Sequence, residues 1–340
     1  MLHGAQALMN DNFSPDTRSR LSGLLQQFKA KAKPGRFDYT WCHTHTGQHP
    51  FHLVFGAMVH GNEFGSLPAA VRLVEALSSG ELRPKVSVTI FLGNPEAARE
   101  NRRYLEADLN RVFLDNPHTQ HEHQRAREIM PILDAADAFI DFHQTILQTQ
   151  QPFYIFPWNK GGWHWARAMQ SARVWVTRDP STQFSSGTRC TDEYVCLRGK
   201  PGLTVELSQK GFHDSAESLC WQSMLRAIEM AESLAVHDES ADVVAGRYED
   251  LQFYTTTHLE PFSSPQHALR PGLINFQPVQ AGEQVSADQS PEIRVPDTGM
   301  LLFPKYPDRR DGRAIAPLPG QIFRLITPLQ THPVQLWEQD

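Results

Sequence analysis

The sequence predicts an α/β protein: a mixed, mostly parallel sheet flanked by helices, followed by a smaller β-rich C-terminal domain. Two observations carry this. Apolar runs of strand length alternate with stretches of helical period as far as about residue 244, which is the pattern of a sheet covered on both faces. Past Gly246 the long helical periods stop, and half of the 24 prolines fall in that last stretch. The expected division is therefore residues 1–244 and 245–340.

The elements follow in order. Ser14-Pro15 caps an amphipathic run to about Lys31, with Leu21, Leu24, Leu25 and Phe28 on one face. Phe37 to Trp41, and then Phe51 to Val59, read as strands. The second ends in His60-Gly61-Asn62-Glu63, after which Leu67, Ala70, Val71, Val74 and Leu77 recur at helical spacing. Val86 to Leu92 is a strand closed by Gly93-Asn94-Pro95, and His118 to Ala135 a helix. Ala138 to His143, Phe153 to Phe156 and Leu203 to Leu207 are further strands, and Asp214 to about Val236 is a long helix. In the last stretch, segments at Gly272–Phe276, Gln284–Ser286 and Gly299–Phe303 read as short strands between Pro and Gly turns.

Composition narrows the partners. Hydrophobic residues are 40% of the 340 and charged residues 21%, as in a folded globular protein. A formal charge of -6 offers no general attraction to nucleic acid or an anionic membrane. No apolar stretch approaches the roughly 20 residues that span a bilayer, and Met1 to Phe13 lacks the pattern of an export signal. The four cysteines, at 42, 190, 196 and 220, form no CxxC pair and suit reduced thiols in a cytoplasm. A small-molecule substrate is the expected partner; a homo-oligomer is left open.

Four segments carry chemistry. His60-x-x-Glu63 lies at a strand-to-helix turn, where an imidazole and a carboxylate can face one metal ion; a polar turn with an acidic first helical turn is the plainer alternative. Asp141-Phe142-His143 ends an apolar strand, so alternation puts Asp141 and His143 on one face. His143 is either a third ligand, with Asp141 as its hydrogen-bond partner, or a strand-end histidine with an ordinary partner. Glu206 is a carboxylate inside an apolar strand, a costly position unless it is paired or used. It is either the proton carrier of a hydrolase or an ion-paired brace in the sheet. The run Asn101–Arg111 is dense in arginine and amide groups; its forks suit carboxylates and oxyanions, or it is a solvated loop.

Together Gly56–Glu63, Asn94-Pro95, Arg103–Arg111, Asp141–His143 and Val205-Glu206 resemble, in order, the succinylglutamate desuccinylase/aspartoacylase family, relatives of the zinc carboxypeptidases. The resemblance implies a zinc carboxypeptidase-like catalytic domain and one Zn2+ held by His60, Glu63 and His143, with a position open for water. It implies that Glu206 moves the proton and that Arg103 polarises the scissile carbonyl of a small N-acyl amino acid. Asn110 and Arg111 would grip a substrate carboxylate. A further arginine before the catalytic glutamate is expected, with Arg198 and Arg189 as candidates, and Tyr306 as a tyrosine from the β domain.

Two other readings keep the same residues. A metallocarboxypeptidase would need an open groove for peptides, and a non-catalytic zinc-binding module would bind without turnover. His43, His45, His49 and His52, and His118, His121 and His123, are expected to be surface residues, since no suitable carboxylate accompanies either group.

Overall fold

In the computed structural model, which describes residues 13–34, 37–114, 117–316 and 318–338, eleven strands form one sheet. Helix α1 (Pro15–Lys31) is capped by Ser14, whose hydroxyl accepts from Thr17 N at 3.1 Å. The strands that carry the site are β1 (Cys42–His45), β2 (His49–Ala57), β3 (Val86–Leu92), β4 (Ala138–Thr145), β5 (Phe153–Ile155), β6 (Val174–Thr177) and β7 (Gly202–Gln209). β8 (Gln252–Pro261), β9 (Pro278–Val279), β10 (Gly299–Leu302) and β13 (Gln321–Pro328) follow, while β11 (Arg309–Arg310) and β12 (Arg313–Ala314) pair apart from the sheet. The sheet runs β1-β3-β2-β4-β7-β5-β6-β8-β13-β10-β9.

The central pairs β3-β2, β2-β4 and β4-β7 are parallel, as are β5-β6 and β6-β8; the others are antiparallel. A parallel strand is buried on both faces, which explains why β2, β3 and β4 are nearly continuous apolar runs. Helix α2 (Leu67–Ser79) and the long helix Asp214–Ala235 pack Leu73, Val74, Ala227 and Ala231 against the sheet. The segment beyond residue 245 has its own apolar cluster around Val285, Leu301 and Phe323. Its strands β8, β13, β10 and β9 nevertheless continue the same sheet.

Several expectations change. Phe37 to Trp41 is not a strand; Tyr39 and Trp41 are buried by a turn in which Tyr39 Oη donates to Leu92 O at 2.6 Å, and β1 begins only at Cys42. Gly272–Phe276 and Gln284–Ser286 form isolated bridges, because their backbone bonds go to scattered partners, Asn275 N to Gln148 O, Phe276 N to Leu301 O and Val285 N to Ile293 O, and build no ladder. The unanticipated elements include β6, β8, β13 and the helix Lys160–Met169. His43 and His52 are buried: the first sits 2.8 Å from Lys31 O and the second 2.8 Å from Thr89 Oγ1, so both satisfy interior polar groups. His123 is buried as well. The reading of Met1 to Phe13 falls almost wholly outside the described residues. No described helix is long and apolar enough to cross a membrane.

What positions the site is the end of β2. Met58 takes φ 55°, a left-handed backbone that turns the chain sharply off the strand. The turn is then tied down: Gly93 N and Asn94 N donate to Ala57 O and Met58 O, and Gly61 N donates to Arg103 O at 3.0 Å. A Cβ on Gly61 would lie 2.5 Å from Ala98 N, which is backbone and cannot yield. Gly61→Ala should therefore destabilise the fold by about 1–3 kcal/mol, read as a lower urea midpoint; an unchanged midpoint would show that the turn is free to move.

Candidate metal and catalytic site

Strand pairing gathers the site. Gly56 faces Asp141 across β2-β4, and His143 faces Glu206 across β4-β7. Residues level on neighbouring strands project to one face, so His143 and Glu206 open into the same space at the carboxyl ends of parallel strands.

At that end His60, Glu63 and His143 are all buried, and one ligand atom from each lies within 4.8 Å of the others. His60 Nδ1 is 2.9 Å from Glu63 Oε1 and 3.1 Å from His143 Nδ1, which is itself 2.9 Å from Glu63 Oε2. Each ring thus turns Nδ1 inward. Each Nε2 is held from outside, His60 by Asp108 Oδ1 at 3.1 Å and His143 by Asp141 Oδ2 at 2.9 Å. Two imidazoles and a carboxylate converging on one point, each imidazole braced by a second carboxylate, fit a divalent cation of the zinc type.

The charges explain the geometry. Burial alone would raise the Glu63 carboxyl, but His60 and His143 hold it well below the usual range. Burial is likewise outweighed at Asp108 by Arg103 and His60, which keep it ionised. Arg103 ties these pieces together: Nη1 donates to Glu63 Oε1 at 2.9 Å and Nε to Asp108 Oδ2 at 3.0 Å. Glu206 differs. Burial, and then the neighbouring Glu63, push its carboxyl up to about 8, and its Oε2 is buried without a partner among the described residues.

These groups line a cavity of about 530 Å³. Asn110 and Arg111 reach it, but the Asn110 carbonyl oxygen is taken by Thr191, whose backbone nitrogen and hydroxyl both donate to it, leaving its amide nitrogen near His143. Arg198 does not reach it: its Nε pairs with Asp134 at 2.6 Å and its guanidinium stacks on Tyr194. Arg189 also stays outside, bonded through its backbone to Arg111. Tyr306 belongs to the C-terminal core, where its hydroxyl donates to Arg270 O and accepts from Leu273 N. The cations that do line the cavity include Arg178, Lys305 and Arg324, none of them anticipated. Asp108, too, is not among the expected site residues, although it sits inside the Arg103–Arg111 run. Two residues before Asn110, it is the carboxylate of that run that braces His60. Arg178, Lys305 and Arg324 gave no local signal.

Residues 51–237 match the sequence model of the succinylglutamate desuccinylase/aspartoacylase catalytic domain. The chain is 33% identical over 163 residues to a succinylglutamate desuccinylase of Pseudomonas paraeruginosa, covering 45% of this chain and 44% of that one. A second, from Pseudomonas fluorescens, is 29% identical over 174 residues, 46% of this chain and 50% of that one. The chain therefore spans half or less of the length of these relatives. Among solved structures, a succinylglutamate desuccinylase of Chromobacterium violaceum superposes with a TM-score of 0.63 at 15% identity, covering 90% of this chain and 98% of that one. An ectoine utilization protein of Ruegeria pomeroyi, solved with product bound, gives 0.62 at 16% identity over 84% and 87%. At such identities these two show a shared fold.

Lys305 supplies a test of the cavity's electrostatics. Burial, and then Arg103, Arg324 and Arg111, lower its ammonium from 10.5 to about 8. Between those values the unfolded chain holds the proton that the folded chain has released, so this residue's contribution to stability rises with pH. Below about pH 8 the penalty is fully present. Lys305→Met should accordingly be more stable than the parent near pH 7, by roughly 1–2 kcal/mol, and the gain should shrink as pH climbs past 9. Urea midpoints at the two pH values check it, and a gain independent of pH would assign the effect to packing.

Proposed function

Since the chain belongs to the succinylglutamate desuccinylase/aspartoacylase family, we propose that it is a zinc-dependent amidohydrolase that deacylates a small N-acyl amino acid. The observation that carries this reading is the convergence of His60 Nδ1, His143 Nδ1 and the Glu63 carboxylate beside an unpartnered Glu206 oxygen. The names of the curated relatives support the substrate class. A cavity of about 530 Å³ suits a small molecule.

In this reading His60, Glu63 and His143 hold one zinc ion, which when bound supplies Lewis acidity toward water and the amide carbonyl. Glu206 takes a proton from the attacking water on its free oxygen as the new carbon–oxygen bond forms. It then passes that proton to the amide nitrogen as the carbon–nitrogen bond breaks, giving an amine and a carboxylic acid that keeps the water's second proton until it ionises to solvent. Arg103 has spent Nε and Nη1 on Asp108 and Glu63. Its Nη2, without a protein partner among the described residues, is the donor for the developing oxyanion. Arg111 stays beside the cavity through bonds to Asn110 O and the Cys190 sulfur, and grips a substrate carboxylate. The Asn110 amide nitrogen faces the same region.

Three variants test these assignments. Glu206→Gln should retain zinc and lose at least about 100-fold in kcat; a zinc-replete variant that still turns over would remove Glu206 from the reaction. His143→Ala should lose most of its zinc by metal analysis while remaining folded, and undiminished zinc would exclude it as a ligand. Arg111→Ala should act mainly on KM, by roughly tenfold or more, whereas a defect confined to kcat would move Arg111 to the reacting centre.

A further inference from the structure

The loop that carries Arg103 and Asp108 is fastened by a residue outside the site. Residues 100–108 form neither helix nor strand. Yet Asp108 braces His60, and Arg103 sits between Glu63 and Asp108. The fastening comes from Glu122, in the first turn of the helix His121–Asp134. Its Oε1 accepts from Leu105 N at 2.6 Å and from Asn94 Nδ2 at 3.0 Å. Its Oε2 accepts from Glu106 N and Ala107 N, each at 3.0 Å. Three successive amides thus close on one carboxylate, immediately before Asp108. Glu106 returns the bond, its Oε2 accepting from His121 N.

Glu122 is fully buried and has no ion pair among the described residues. A carboxylate in such a place is costly unless hydrogen bonds replace its lost water. Burial alone would raise it, but the donors of Leu105, Ala107, Asn94 and Glu106 hold it below the usual range. The loop does not need this partner merely to satisfy its amides, since Glu106 is exposed and water can serve an exposed loop. A complete set of buried bonds instead fixes one conformation of the segment. Asn94 extends the hold to the turn after β2: its backbone nitrogen donates to Met58 O, and its Oδ1 accepts from Ala97 N. Asn110 and Arg111, next along the chain, are anchored elsewhere, through Thr191 and Cys190.

We propose that Glu122 is a positioning residue: by gripping residues 105–107 it holds Asp108 against His60 and Arg103 against Glu63, and so sets both zinc affinity and the placing of the oxyanion donor. The proposal rests on the metal and deacylase reading above and deepens it. Glu122 touches no ligand of the metal; its effect passes through Asp108 to the His60 ring, and through Arg103 to the reacting carbonyl. Releasing the segment lets Asp108 drift, and His60 then loses the partner that turns its Nδ1 inward. Because Asn110 and Arg111 keep their own anchors, the grip on a substrate carboxylate is left in place.

The test measures zinc affinity by competition with a chelator, on the full chain and without substrate. Glu122→Gln, which keeps the shape but not the charge, should bind zinc about tenfold more weakly than the parent. Asp108→Asn, which removes the brace itself, should lose about 10- to 100-fold. Combining the two should cost no more than about twofold beyond Asp108→Asn, because both act along one route. A combined loss equal to the product of the single losses would show that Glu122 works by general destabilisation, and would overturn the proposal. Glu128→Gln neutralises an exposed glutamate of the same helix and should leave affinity unchanged; a matching loss there would also overturn it. If Glu122→Gln does not fold, Asn94→Ser decides. It keeps an oxygen to cap Ala97 and removes one of the four donors, and should weaken zinc about threefold; parental affinity would refute the role.

Turnover at saturating zinc adds a second readout. Glu122→Gln should lose about 10- to 100-fold in kcat on an N-acyl amino acid, as Arg103 shifts from the carbonyl, while KM stays within about threefold. A rise confined to KM would place the effect on Arg111 and overturn the route through Arg103. The two measurements separate this proposal from the reading beneath it. A parent that binds zinc but hydrolyses no N-acyl amino acid rejects the reaction, and the zinc cycle still decides the role of Glu122. A parent that hydrolyses, with Glu122→Gln equal to it in zinc affinity and kcat, retains the reaction and rejects the positioning role. A parent that binds no zinc overturns both.

Discussion

Everything at this site depends on the direction in which two imidazole rings are turned. A histidine offers either nitrogen, and which one faces a given point is decided by what holds the other. Here Asp108 holds Nε2 of His60 and Asp141 holds Nε2 of His143, so both Nδ1 atoms are presented to the Glu63 carboxylate. If either carboxylate were lost, a ring could rotate, and the three ligand atoms would no longer share a centre. The two braces come from different places, one from a loop after the Arg103 turn and one from β4 itself. The site is therefore as exact as the packing of that loop against the strand.

That constraint explains why so much charge is tolerated in the interior. Glu63, Asp108, Asp141, His60, His143 and Arg103 form a connected set in which each buried charge has an opposite partner. Buried ionic groups are tolerated when each has an opposite partner close by, even though Asp141 Oδ1 is left without a hydrogen bond among the described residues. Glu206 stands outside the set, level with His143 on the next strand yet with a bare oxygen. The contrast sorts the acidic residues: Glu63, Asp108 and Asp141 each pair with an imidazole, and Glu206 makes no ion pair among the described residues.

The sheet also joins regions that the chain keeps apart. β6 pairs with β8 in parallel, and β8 carries β13, so the last strands extend the same surface that bears β4 and β7. The apolar cluster of Phe153, Val174, Phe276 and Ile326 spans this junction. Because of it, cations from residues 305 and 324 reach a cavity floored by residues 60 to 206.

The alternating apolar segments are enough to predict the α/β class, and β3 has the limits its sequence predicts because a fully buried parallel strand is a continuous apolar run bounded by turn residues. His60, Glu63, His143 and Glu206 stood out for a related reason, as groups that an apolar setting makes expensive and that sit at strand ends. Asp108, Arg178 and Arg324 carried no such mark, since a charged residue in a loop or on an amphipathic strand is unremarkable until its neighbours are known. Arg198 and Tyr306 show the converse: residue type and approximate position were suitable, but Asp134 and the backbone near Arg270 already engaged them. Local pattern decides whether a segment is strand or helix and which faces are buried, because those depend on near neighbours. Which ring nitrogen faces inward, and which cations meet from places as distant in the chain as Arg111 and Arg324, depends on packing that only the folded sheet supplies.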